Sequence, residues 1–117
     1  MIPRYSRPQM ARVWSDERRY ELWLKVELAA CEAWGDLGAI PKADLLKLRG
    51  AKVDQKVIER AFQVTKHDVT AFLQGVSEGL GPESRFIHLG LTSNDVMDSA
   101  QALQMVEAAG LLEEGLG

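Results

Sequence analysis

The stretch His88–Asp98, HLGLTSNDVMD, decides the fold of this 117-residue chain. An extended approach leads to a turn at Gly90, and the hydroxyls of Thr92 and Ser93 precede a helix that opens with Asn94 and Asp95. Free backbone N–H groups at a helix start favour an anion, and two hydroxyls add further donors. The stretch predicts either a plain N-cap at Thr92 or Ser93 or an anion site at the same place.

The remaining helices can be placed from caps and apolar spacing, and no stretch alternates with period two for long enough to predict a strand. Residues 1–7 have no room for regular structure. The pattern indicates an all-α protein with helices over Pro8–Trp14, from Ser15 to Gly38, over Pro41–Leu48, from Asp54 to Val64, from Asp68 to Leu80, and from Asn94 to Leu116. We expect a helical domain over 1–93, and a last helix over 94–117 that is cut in mid-course.

Charge and cysteine content narrow the function classes. The net charge of −3 argues against a nucleic-acid partner, although the arginines in the first nineteen residues could meet a small anion. Cys31 is the only cysteine, so a reducing cytoplasm fits best. There is no signal-peptide pattern, and no apolar segment reaches the roughly 18 residues that span a membrane. We expect a cytoplasmic protein.

A second polar cluster, Lys66–Asp68, lies upstream, where Asp68 is predicted to cap a helix. That helix travels about 20 Å, and the return to His88 can span up to about 26 Å if extended. The two clusters can therefore meet around one anion. His67 alone predicts no more than a structural hydrogen bond, and the terminal Arg4 and Tyr5 are either a solvated tail or an arm laid over a phosphate.

Three motifs carry a resemblance to a known family. The runs RYS at Arg4–Ser6, TKHDV at Thr65–Val69 and HLGLTSNDV at His88–Val96 resemble the N-terminal domain of the adenylosuccinate lyase family, in the fumarase/aspartase superfamily. The resemblance covers essentially the whole chain. It implies an all-α, multi-helix domain whose last helix leads into a central helical bundle outside these residues.

The resemblance also implies an activity, namely β-elimination of fumarate from adenylosuccinate to give AMP. The same enzymes cleave the succinylated carboxamide intermediate of purine biosynthesis. Neither a cofactor nor a metal is implied. The implied full-length protein is a homotetramer with shared active sites, and its catalytic acid and base lie outside this chain, so we expect the 117 residues alone to be inactive.

Residue roles carried over from the family concern binding more than proton transfer, with a supporting catalytic role for His67. They are nucleotide binding by Arg4 and Tyr5, pocket lining by Lys66, His67 and Asp68, phosphate binding by His88, and carboxylate binding by Thr92 and Ser93. Two alternatives stay open. The chain could come from a sister lyase or cycloisomerase of the superfamily, or it could be a non-catalytic helical interaction module.

Overall fold

The computed structural model describes residues 2–117, and the all-α prediction is confirmed because this part of the chain contains helices and no strand. Two short 3-10 turns cover Pro3–Tyr5 and Pro82–Phe86. The α-helices are α1 (Pro8–Val13), α2 (Asp16–Asp36), α3 (Lys42–Leu48), α4 (Gln55–Thr65), α5 (Asp68–Ser77) and α6 (Ser93–Leu116).

Side-chain caps explain where the longer helices begin. The Ser15 hydroxyl accepts a hydrogen bond from the backbone N–H of Arg18 at 3.1 Å, which starts α2. The Asp54 carboxylate accepts from the backbone N–H groups of Lys56 and Val57 at 3.0 and 3.3 Å, which starts α4. Both caps agree with the sequence prediction, because capping depends on neighbouring residues alone.

Two hydrophobic clusters form the core, and α2 contributes to both. In the larger one, the ring of Phe72 on α5 packs edge-on against Trp23 of α2 at 5.4 Å between centroids and stacks on Tyr20 at 6.0 Å. The smaller cluster joins α2 and α3 to the residue that follows the second 3-10 turn. Its buried members are Cys31, Ile40, Leu45, Leu48 and Ile87.

The last helix packs along α1 and α2. The Gln104 amide, which is buried, donates to the Val13 carbonyl at 2.9 Å. Glu107 accepts hydrogen bonds from the Arg18 guanidinium, and this lowers the pKa of the Glu107 carboxyl. No helix in residues 2–117 combines the length and the apolar character needed to cross a bilayer.

The structure differs from the sequence predictions at several places, of which three concern the first residues, the approach to His88 and the start of the last helix. The first residues form a 3-10 turn in which the Tyr5 N–H donates to the Ile2 carbonyl at 3.1 Å. The approach to His88 is not extended throughout, since Pro82 starts the second 3-10 turn. The last helix begins at Ser93, because Thr92 is its N-cap. The division into 1–93 and 94–117 stays a prediction.

Candidate functional site

The first polar cluster is a tight turn between α4 and α5, which we call the KHD turn (Thr65–Asp68). Lys66 adopts a left-handed backbone with φ of 53°, and its N–H closes α4 by donating to the Phe62 carbonyl at 2.9 Å. Its side chain is exposed, and the ammonium has one long contact of 3.4 Å to Gln63 Oε1. The Lys66 ammonium is therefore accessible to a ligand.

The N-cap of α5 is His67, and the prediction that Asp68 caps this helix was wrong. His67 Nδ1 accepts the Thr70 N–H at 3.2 Å, which leaves Asp68 as the first helical residue. There its carboxylate still interacts favourably with the helix dipole. An imidazole nitrogen with a free lone pair can cap a helix as a carboxylate oxygen does, so the expected structural hydrogen bond of His67 is present.

The second polar cluster, the TS turn (Ile87–Asp95), is held by residues far away in sequence. His88 has φ of 68° and Gly90 has φ of 74°. The indole N–H of Trp34 donates to the Leu89 carbonyl at 3.0 Å. A Cβ on Gly90 would lie 3.1 Å from the Trp34 ring, so a glycine suits both the backbone and the space.

The strongest anchor of the TS turn is Glu27, which the sequence analysis missed. Its side chain is fully buried, and its two oxygens contact the backbone N–H and Nδ1 of His88 at 2.9 and 2.6 Å. The position of Glu27 on α2 could have predicted that its carboxylate is buried. Glu27 lies four residues after Trp23 and four before Cys31, which puts a carboxylate on the buried face of an amphipathic helix.

At the start of α6, Thr92 is the N-cap, and its backbone N–H donates to Asp95 Oδ2 at 2.9 Å. Ser93 is the first helical residue and is half-buried. The capping role thus falls to Thr92 and Asp95. The Ser93 hydroxyl has no capping role.

Strained backbone occurs at both turns. Among the described residues, Lys66 and His88 are the only non-glycine residues with positive φ. A left-handed backbone costs a residue with a Cβ about 1–2 kcal/mol. Such strain persists where surrounding contacts enforce it, and it clusters at functional sites.

The two turns share one core, although within residues 2–117 no hydrogen bond joins them. Val69 follows the start of α5 and Val96 follows the start of α6. Both side chains are buried in the larger cluster. Both helix starts therefore pack into the larger cluster.

The N-terminal arm lies elsewhere. The Arg4 guanidinium donates to the Tyr5 hydroxyl at 2.8 Å, and both side chains are exposed. Tyr5 lines a cavity of about 640 Å³ together with Leu111 and Leu112 of α6. These leucines lie near the C-terminal end of α6, about 27 Å along the helix from Ser93 at 1.5 Å per residue. Within one chain, Arg4 and Tyr5 are therefore separated from the TS turn.

Three of the five N-terminal arginines are already paired with acids of the same chain. Arg12 and Arg18 contact Glu21 at 3.4 and 2.7 Å, and Arg18 also contacts Glu107. Arg19 lies 3.5 Å from Asp16. Arg4 and Arg7 are thus the two arginines of this group that make no salt bridge within the described residues.

Comparison with solved structures first identifies the fold. A fumarate lyase from Mesorhizobium sp. BNC1 matches 90% of this chain with a TM-score of 0.79. The sequence identity is 20%, and the matched part is 26% of that chain. The helices therefore have the arrangement found in part of a fumarate lyase. No protein-family model matches the chain.

Comparison with curated proteins is more specific. Over 99% of its length, the chain is 48% identical to the adenylosuccinate lyase of Staphylococcus saprophyticus. It spans 27% of the length of that relative. The resemblance carried by the RYS, TKHDV and HLGLTSNDV runs is therefore confirmed across the whole chain.

Proposed function

We propose that this chain is the N-terminal part of an adenylosuccinate lyase. The full-length enzyme would release fumarate from adenylosuccinate, leaving AMP, and would cleave the succinylated carboxamide intermediate of purine biosynthesis in the same way. One observation carries the proposal, namely the 48% identity to an adenylosuccinate lyase over 99% of the chain. Two helix starts with accessible donors suit a substrate that bears a phosphate and two carboxylates.

In this proposal the KHD and TS turns bind the substrate. Lys66, His67 and Asp68 line the pocket, His88 binds the phosphate, and Thr92 and Ser93 hold a succinyl carboxylate. The left-handed backbones of Lys66 and His88 support these roles, because both strained residues belong to the candidate set. So does the burial of Val69 and Val96 in one cluster.

The chemistry requires charge stabilisation. Removing a proton beside a carboxylate places extra negative charge on the succinyl group before the carbon–nitrogen bond breaks. Hydroxyl and backbone donors fixed at the start of α6 would stabilise that charge without reorganising. His67, whose Nε2 is not used for capping, would orient the substrate or assist proton transfer. The acid and the base themselves would come from residues outside this chain, so the isolated 117 residues would not turn over substrate.

Assembly completes the proposal. The arm with Arg4 and Tyr5 lies away from the TS turn, so it would bind the nucleotide in a site shared with another subunit of a homotetramer. Exposed apolar side chains along α6 support association with further protein. They are Met105 (59% exposed), Val106 (70%), Leu112 (61%) and Leu116 (90%). The single buried, unpaired Cys31 is compatible with a cytoplasmic enzyme.

Thermal-shift titration of the full-length protein with AMP and with fumarate tests the proposal. We expect both ligands to raise Tm. Ser93→Ala should remove the Tm shift caused by fumarate, and Lys66→Met should lower the affinity for AMP, measured from the titration, at least tenfold. Ser99→Ala and Lys56→Met are matched controls, because these exposed residues lie on α6 and α4 outside the turns. Control variants with the same losses would contradict the site.

The same titration separates the alternatives. A fumarate shift without an AMP shift would indicate a sister lyase or cycloisomerase that does not bind the nucleotide. The absence of both shifts would indicate a helical interaction module. In that case Thr92→Ala would cost only the capping free energy of about 1 kcal/mol.

A further inference from the structure

The two histidines of the chain are held by hydrogen bonds of opposite sense. His67 Nδ1 lies 3.2 Å from the backbone nitrogen of Thr70. A backbone N–H can only donate, so Nδ1 of neutral His67 carries the lone pair and Nε2 carries the proton. The Thr70 hydroxyl, 3.1 Å from the same nitrogen, can donate as well.

His88 is held in the reverse way. Its Nδ1 lies 2.6 Å from Glu27 Oε1, while its backbone N–H donates to Glu27 Oε2 at 2.9 Å. An ionised carboxylate at Glu27 can only accept, and such a contact requires a proton on His88 Nδ1. His88 Nε2 has no hydrogen-bond partner among the described residues, and the His88 side chain is 21% exposed.

We propose that Glu27 is a positioning residue that fixes the Nδ1–H form of His88 and directs Nε2 towards the ligand. The two histidines then differ in what they offer at Nε2. His67 offers a neutral N–H donor. In its neutral form, His88 offers an Nε2 lone pair that accepts a hydrogen bond. In its doubly protonated form, Nε2–H donates one to an anionic ligand and the Glu27 carboxylate balances the positive charge of the ring. This inference rests on the proposed function only in placing the ligand at His88.

Three features of Glu27 favour a positioning role over ordinary packing. Burying a carboxylate costs free energy unless it is paired, and within the described residues both side-chain hydrogen-bond contacts of Glu27 are to His88. The contact joins residues 61 positions apart, so it links α2 to the TS turn directly. It also holds the left-handed backbone of His88, whose N–H would otherwise lack a partner.

Long-range proton–nitrogen NMR of the ¹⁵N-histidine-labelled chain tests the proposal, since only two imidazoles are present. We expect His88 with a protonated Nδ1 and neutral His67 with a protonated Nε2. An unprotonated Nδ1 in His88, or an equal mixture of tautomers, would overturn the proposal. This measurement on the wild-type chain needs no variant.

Glu27→Gln is the informative variant. A side-chain amide has one oxygen that accepts and one nitrogen that donates, so it cannot accept hydrogen bonds from both the backbone N–H and the Nδ1–H of His88. We expect the His88 ring to lose its fixed Nδ1–H pattern, while the His67 signals stay unchanged. Glu32→Gln, at a half-buried position of α2 whose carboxylate contacts Arg49 instead of His88, should leave both patterns intact. A Glu27→Gln chain with the wild-type His88 pattern would overturn the positioning role.

AMP binding to the full-length protein separates this inference from the proposed function. We expect Glu27→Gln to weaken AMP binding about tenfold, with no comparable loss for Glu32→Gln. If wild-type protein has the two opposite tautomers but does not bind AMP, the proposed function fails and the positioning by Glu27 stands. If AMP binds equally to wild type and Glu27→Gln, the ligand role of His88 is overturned.

Discussion

The KHD turn and the TS turn each lead into a helix, but different parts of the chain hold them. The KHD turn depends on Phe62 and Thr70, which are at most four residues away from the groups they contact. The TS turn depends on Glu27 and Trp34 of α2, 61 and 55 residues away. The contacts of a turn built by neighbours lie within the reach of local sequence rules, whereas a turn held by a distant helix depends on the whole core.

The largest expected difference between the two turns is in how fast a thiol reagent reacts with a cysteine beside each of them. Burial, with Glu27 and Glu32 nearby, raises the pKa of Cys31 to about 11. Cys31 belongs to the same cluster as Ile87 of the TS turn, and its thiol lies 3.7 Å from the Phe86 carbonyl. At pH 8 its thiolate fraction is about a hundredfold or more below that of an exposed thiol of pKa about 8.5. We expect Cys31 to react with a disulfide reagent slower by at least that factor.

The control for this reaction carries an exposed thiol at the KHD turn, in a chain with Cys31→Ser and Thr65→Cys. Its rate should level off above about pH 9, while the rate for Cys31 should keep rising towards pH 10, because the thiolate fraction grows tenfold per pH unit below the pKa. Equal rates and equal pH profiles would show that the TS turn does not close over the core.

Removing the buried anchor should have the largest effect on stability. Glu27→Ala leaves two donors of His88 without their partner and opens a cavity, so we expect the free energy of unfolding to fall by about 3 kcal/mol. Urea unfolding measures it. Glu32→Ala on the same helix removes the partner of Arg49 at the surface and should cost much less. Equal losses would mean that Glu27 does not anchor the TS turn.

Glycine substitutions compare the TS turn with the middle of α6. Gly90→Ala combines a positive φ with a 3.1 Å approach to Trp34, and we expect it to lower the free energy of unfolding by about 1–2 kcal/mol. Gly110→Ala lies in α6 with open space around it and should raise stability by about 0.5–1 kcal/mol. Changes of the same sign in both variants would contradict this difference in backbone requirement.

The smallest effect is expected at the KHD turn. Lys66→Gly relieves a left-handed backbone and should raise the free energy of unfolding by at most about 1 kcal/mol. If Lys66 binds the substrate, AMP affinity of the full-length protein should fall in the same variant. A stable variant with unchanged AMP affinity would show that the strain at Lys66 has no binding function.

Much of the helical framework followed from local residues. Ser15 and Asp54 were recognised as caps, because a cap is satisfied by N–H groups two or three residues onward. Asp68 was misassigned, since two neighbouring side chains can cap the same helix start and His67 does so. Both Asp68 and His67 can accept a capping hydrogen bond, so a sequence rule does not distinguish them. The backbone geometry determines which of the two is the N-cap.

The sequence by itself determined the all-α class, the helix order and the HLGLTSNDV and TKHDV runs, because periodicity, caps and motifs are properties of neighbouring residues. Only the tertiary structure decided that Glu27 anchors His88, that Arg4 and Tyr5 lie near the far end of α6 from Ser93, and that Arg12 and Arg18 pair with acids on other helices. Those contacts join different elements of the fold, and their formation depends on how the core packs.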